Sequence, residues 1–235
     1  MLRMAGSQCG QAIPTKLSVE QFEQFVLPHL SVGSRGPAPK LSLHKIFNYI
    51  LHLLYLGCQW KELPIAKDGE GRPEIHHTRI YSAWRRWEAD GCIDAIFTGS
   101  VMQLHQDELL DISVIHGDGT TTAAKKGEVG MDLQGSIVSL DGVYDCRRNR
   151  KAIFNRGMIP NINPNPRGRR QPKRGRKPLF APAIFDERFY TIERVFAWED
   201  KFRRLLLRFD RLSQVHHAFK TLAYTLINIR HYCRG

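Results

Sequence analysis

The sequence predicts an α+β chain in which a helical N-terminal region precedes a domain built on a small mixed sheet. Three observations point there. Apolar residues recur at helical spacing in three stretches between Ser18 and Ala89. Two short apolar runs in the middle, Ser113 to Gly117 and Ile137 to Leu140, have the length and bounding turns of buried strands, and each is followed by Asp-Gly. A long amphipathic stretch, Phe189 to Asp210, then carries Ile192, Val195, Phe196, Phe202, Leu205, Leu206 and Phe209 at three- and four-residue steps. The division reads as residues 1 to 105 and 106 to 235.

Residues 1 to 16, with Gly, Gln and Pro but little periodicity, read as a loose arm. Ser18 with Gln21 makes a capping box for a helix through about Leu30 that presents Phe22, Phe25, Val26 and Leu30. The run from Gly33 to Lys40 is a Gly/Pro linker. Ser42 caps a helix over Leu43 to Leu56, with Ile46, Ile50, Leu53 and Leu54 inward, and Gly57 stops it. A third helix runs from Thr78 to Ala89. Its Ile80, Ala83, Trp84 and Trp87 form one face, with Arg79, Arg85 and Arg86 off it. Trp60 reads as core, and His76 and His77 as loop or cap residues.

Three helices with a basic last member have the pattern of a helix-turn-helix module, in which the last helix enters the major groove; a small bundle with a solvated basic face fits the same pattern. The net charge of +12 points to a polyanionic partner. The five cysteines lie far apart without a CxxC pair, so the spacing of neither a zinc site nor a disulfide framework is present. No apolar run reaches the about 18 residues of a membrane span, and no cleavable signal opens the sequence, so a soluble intracellular protein without a membrane partner is expected.

Further along, Arg147 to Asn155 reads as a helix capped by Asp145, and Met158 to Ile162 as another strand. Asn163 to Pro178 is a basic loop that holds Arg167, Arg169, Arg170, Lys173, Arg174, Arg176 and Lys177 among Pro and Gly. No acidic residue occurs between Asp145 and Asp186, and phosphate contact is the expected role. A last helix, Ser213 to Tyr232, offers Val215, Phe219, Leu222, Leu226 and Ile229 to the core.

Several of these segments carry a resemblance. IERVFAWEDKFRRLLLRF, the motifs HGDGT with Asp118, SLDGVYD with Asp141 and YTIER with Glu193 in that order, and LGCQWKELP followed by RIYSAWRRWEADG resemble, over most of the chain, bacterial insertion-sequence transposases of the IS-four/IS-five superfamily. The resemblance implies an RNase H-like catalytic domain in which Asp118, Asp141 and Glu193 form a catalytic Asp-Asp-Glu set. It implies two Mg2+ or Mn2+ ions, which such a set holds roughly 3.5 to 4 Å apart, and hence metal-dependent DNA cleavage and strand transfer. The partners it implies are double-stranded DNA, as element terminal inverted repeats and as target, with a homodimer as a further expectation. The location it implies is the bacterial cytoplasm, at the nucleoid.

Two departures stand out. Relatives commonly place a DNA-contacting Lys seven residues after the Glu; here that position is Asp200, with Lys201 and Arg204 as the candidate replacements. Only Gly119 to Leu140 separates the two Asp, an interval in which the fold normally places two more strands and a helix. The chain therefore reads as a shortened copy that lacks a block near Val129 to Met131, with an incomplete sheet and an unpaired edge. The alternative expectation is a catalytically inactive DNA-binding remnant that acts as a competitor or repressor of the intact enzyme.

Overall fold

The structure is a computed structural model and describes residues 2–4, 12–32, 41–118, 131–165, 177–207 and 210–233. Two compact units emerge. One comprises residues 8–103 and 197–235 and is helical; the other comprises residues 1–7 and 104–196 and holds the sheet. Among the described residues no helix is long and apolar enough to cross a membrane.

In the helical unit, α1 (Val19–Phe25) starts at the expected capping box: Ser18 Oγ accepts the Gln21 N–H and Gln21 Oε1 accepts the Ser18 N–H. It ends before Leu30 because Pro28 has no N–H to continue the ladder, and a short 3-10 turn, Leu27–His29, carries the chain on. All four expected core residues of this segment are buried. Helix α2 (Leu43–Leu56) has Ser42 at its N-cap and ends at Gly57, whose φ of +69° is the left-handed conformation that glycine adopts without penalty. A Cβ on Gly57 would also lie 2.8 Å from the backbone carbon of Arg203, so the position is closed to larger residues.

Helix α3 (His77–Ala89) is capped by His76, whose Nδ1 accepts the Thr78 N–H, and it buries Ile80, Ala83, Trp84 and Trp87. Trp84 is fully buried and stacks on Phe219 with ring centroids 4.2 Å apart. Helix α4 (Cys92–Gln106) has no counterpart in the sequence reading. It buries Cys92, Ile93, Ile96, Ser100, Val101 and Leu104. The C-terminal segment joins this unit, since α8 (Ser213–Ile229) buries Val215, Phe219, Leu222, Leu226 and Ile229 in the same core as Trp84 and Ile50.

The segment before α3 is tied to α2 through Glu74, which binds the Lys45 ammonium and the Tyr49 hydroxyl. The Lys45 bond, followed by the Tyr49 bond, holds the Glu74 carboxyl below its usual range. A depressed carboxylate contributes stability above its unfolded-state value, near about 4.3, and the contribution is lost as pH falls through the lower folded-state value. Glu74→Gln should therefore lower the melting temperature at neutral pH, and its difference from wild type should close as the pH drops below about 4. Thermal unfolding across that range checks it.

The sheet unit has strand order β1-β2-β3-β4. Strands β2 (Leu110–His116), β3 (Ile137–Leu140) and β4 (Ile159–Ile162) are parallel neighbours. Strand β1 (Leu2–Met4), expected as part of a loose arm, instead pairs antiparallel with β2 and covers that side of it. Three residues form a strand here because a partner edge supplies their hydrogen bonds, which the local sequence does not reveal. Strand β4 is the other edge. Ile159 and Asn163 donate their N–H groups back to β3, so by alternation the Pro160 position faces the open side, where a missing donor costs nothing.

Helix α5 (Arg147–Phe154) connects β3 to β4. Its N-cap is Cys146, not Asp145 as expected; Asp145 instead pairs with Arg150 at 2.9 Å and accepts the Asn165 N–H at 3.0 Å. Helix α6 spans Pro182–Glu199 and α7 spans Arg203–Leu206, which corrects the expectation of one helix from Phe189 to Asp210. The break falls at Asp200 and Lys201, where burial of Phe202 in the helical core outweighs the modest propensity of these residues to continue the helix.

Candidate functional site

Asp118 and Asp141 sit at the C-terminal ends of adjacent parallel strands. The register pairs His116 with Ser139, and the Gly117 N–H donates to the Ser139 carbonyl at 2.9 Å, which extends the ladder one residue further. Continuing that register brings Asp118 level with Asp141, at the spacing of neighbouring strands, about 4.8 Å. A Cβ on Gly117 would meet Leu140 Cδ2 at 2.4 Å, so the two strands come close here and a larger residue would have to turn the Leu140 side chain aside. Asp141 is half-buried and accepts the Gly142 N–H at 2.6 Å, which opens a 3-10 turn over Gly142–Tyr144.

The third group facing these strand ends is a cation. Arg188 on α6 is only 7% exposed, its Nε donates to the Gly117 carbonyl at 3.1 Å, and its Nη2 lies 3.6 Å from Asp118 Oδ1. Its guanidinium also lies over the Phe185 ring at 5.6 Å. Arg188, Ile192 and Val195 make one buried stripe along α6. Glu193 lies about 130° round the helix from the centre of that stripe at 100° per residue, and it is exposed.

The structure thus brings Asp118 and Asp141 together and does not bring Glu193 to them. Among the described residues no group of three or more His, Cys, Asp or Glu side chains is placed to hold a metal ion. The guanidinium 3.6 Å from Asp118 sets a positive charge against one of the two carboxylates, which opposes the binding of a divalent cation beside it. Part of the interval between the two Asp, residues 119–130, lies outside the described residues.

The basic residues separate into several groups. Arg79, Lys177 and Lys201 are exposed. Arg85 is half-buried and paired with Glu88 at 3.0 Å, and Arg86 is half-buried with its guanidinium 6.0 Å from the Trp87 ring centroid. Arg167, Arg169, Arg170, Lys173, Arg174 and Arg176 lie outside the described residues. Arg204 corrects the sequence reading: it is 1% exposed, bonded to the Cys58 carbonyl at 2.8 Å and to Asp210 at 2.9 Å, so it is a core cation and not a DNA contact. The break after α6 turns its side chain into the helical core.

Two features escaped the sequence reading. Helix α5 presents Arg147, Arg148 and Lys151 to solvent with no acidic residue in the helix, and the run RRNRK was the visible signal. Arg188 had a signal too, because a charge in line with Ile192 and Val195 on a buried stripe requires a partner.

Comparison with known proteins yields one partial likeness to report. The chain is 33% identical over 91 residues to a protein of Burkholderia cepacia described as a putative transposase for insertion sequence element IS402. That stretch is 39% of this chain and 37% of the relative, so the chain matches well under half of that protein's length. No family model matches the chain, and no solved structure does. Over part of its length, the chain is similar to an insertion-sequence transposase.

Proposed function

We propose that the chain is an insertion-sequence transposase in shortened form, which binds double-stranded DNA at the ends of its element and has impaired metal-dependent cleavage. The observation that carries this reading is that Asp118 and Asp141 follow the ends of the adjacent parallel strands β2 and β3, within a chain similar over part of its length to a protein described as a putative IS402 transposase. The fold in this reading is RNase H-like, with the β2-β3-β4 parallel strands as what remains of its sheet.

DNA affinity rests on charge. Arg79 on α3, Arg147, Arg148 and Lys151 on α5, Lys201 and the arginines and lysines of residues 163–178 are the phosphate contacts, with Arg85 and Arg86 beside them on α3. Each phosphate neutralised releases condensed counterions, so affinity is largely sequence-independent and falls steeply with salt. Sequence preference then comes from α3 if that helix enters a groove.

The position of Arg188 beside Asp118 favours a second reading, in which the chain occupies element ends without cutting them and competes with an intact enzyme. Selection of bound duplexes from a random pool separates specific from general binding. The expected result is recovery of one sequence family that matches inverted repeats flanking the chain's own coding sequence; a recovered pool with no shared sequence contradicts the proposal. With Mg2+ added to the selected duplex, the first reading expects slow nicking that Asp118→Ala abolishes, and the second expects none.

A further inference from the structure

We propose that Arg188 is the resident cation of the β2 and β3 strand ends, occupying the charge position that a divalent ion would take beside Asp118, so that this chain has little capacity for metal there. The inference rests on the transposase reading only for what the aspartate pair would otherwise hold.

Two carboxylates at the ends of neighbouring strands repel each other unless a positive charge stands close by. Arg188 supplies that charge from within the fold. It is no adaptable surface arginine, because it is 93% buried and fixed at three points: the Gly117 carbonyl at 3.1 Å, Asp118 at 3.6 Å and the Phe185 ring at 5.6 Å. A divalent ion bound by Asp118, whose side chain is 38% exposed, would stand close to the guanidinium. The guanidinium would then be left buried against the Gly117 carbonyl beside a second positive charge, an arrangement that the low-dielectric interior penalises heavily.

The same helix explains why Glu193 does not join the pair. The stripe that brings Arg188 to the strand ends also buries Ile192 and Val195. Turning α6 so that Glu193 faced Asp118 would carry both apolar side chains out toward water and pull Arg188 away from Gly117. The cation and the third carboxylate are therefore alternatives on one helix, and apolar burial selects the cation.

The test titrates Mn2+ into the full chain, following free Mn2+ by electron paramagnetic resonance, and measures thermal unfolding in EDTA and in MgCl2. Wild type should bind Mn2+ with a Kd of about 1 mM or weaker. Asp118→Asn should leave that unchanged, and Mg2+ should not raise the melting temperature of either. Arg188→Met should unfold at lower temperature in EDTA, regain part of the loss in MgCl2, and bind Mn2+ at least about tenfold more tightly, because the competing charge is gone. Arg188→Lys, which keeps the charge, should bind metal as weakly as wild type.

Micromolar Mn2+ binding by wild type that Asp118→Asn removes would overturn the proposal, as would an Arg188→Met protein that binds metal no better than wild type. Should Arg188→Met fail to fold, wild type against Asp118→Asn decides by the same criterion. DNA binding measured in EDTA is independent of this titration. Its loss would sink the functional reading and leave the Arg188 result standing, and the reverse also holds.

Discussion

Arg204→Ala should be among the most damaging single substitutions in the helical unit, costing about 3–5 kcal/mol, because it removes one member of a buried ion pair. The guanidinium is 1% exposed, donates to the Cys58 carbonyl and to Asp210, and lies 4.6 Å from the Phe219 ring centroid and 5.4 Å from that of Trp60. Alanine would leave Asp210, whose side chain is 10% exposed, without this counter-charge, and would open a void between two aromatic rings. For a chain of this size such a loss corresponds to a fall in melting temperature of about 6–20 °C. Arg204→Met with Asp210→Asn should recover much of it, since removing both charges spares the desolvation of each. Calorimetry on the single and double variants measures the coupling. The salt dependence of DNA binding by any folded variant should match wild type, which separates a core cation from a phosphate contact.

Trp84→Ala should cost a similar amount, about 3–5 kcal/mol, for a different reason. Trp84 is fully buried on α3 and stacks on Phe219 of α8 at an interplanar angle of 21°. Truncation removes that contact and leaves a cavity in a close-packed core. Its indole N–H finds no acceptor among the described residues. Trp84→Phe therefore sacrifices volume without orphaning a partner, and should cost well under half as much. Denaturant unfolding of both variants provides the comparison. Because α3 carries Arg79, Trp84→Ala should also weaken DNA binding, in proportion to the fraction unfolded.

Local signals in the sequence locate the elements they govern directly. Ser18 with Gln21 places the start of α1, and Ser42 with Gly57 both ends of α2, because capping is a matter of three or four neighbouring residues. The apolar runs before Asp118 and Asp141 are strands, and they pair in parallel. Elements whose existence depends on a distant partner escaped. Strand β1 exists through its pairing with β2. The short helix α7 is separated from α6 where Phe202 turns inward, although the apolar spacing runs on without interruption. Helix α4 was legible in principle from the spacing of Cys92, Ile96 and Ser100, and of Ile93 and Val101, yet its apolar residues are spread too widely round the axis to make a sharp stripe.

The candidate site divides in the same way. Asp118 and Asp141 are placed by strand ends, which the sequence marks, and by parallel pairing, which only the resemblance implied. The orientation of Glu193 depends on which face of α6 packs inward, and that is decided by the joint burial of Arg188, Ile192 and Val195. Likewise Arg204 looks like its exposed neighbour Lys201 on a helical wheel, but the turn at Asp200 separates them and only Arg204 enters the core.

DNA binding by the full chain, followed by fluorescence anisotropy of a labelled duplex in EDTA over a range of salt, is the most direct measurement. With six or more phosphate contacts, affinity should fall by about a thousandfold or more between about 50 and 200 mM salt, with no requirement for Mg2+. Affinity that is absent at low salt, insensitive to salt, or dependent on Mg2+ would contradict the proposed charge-driven binding of element DNA.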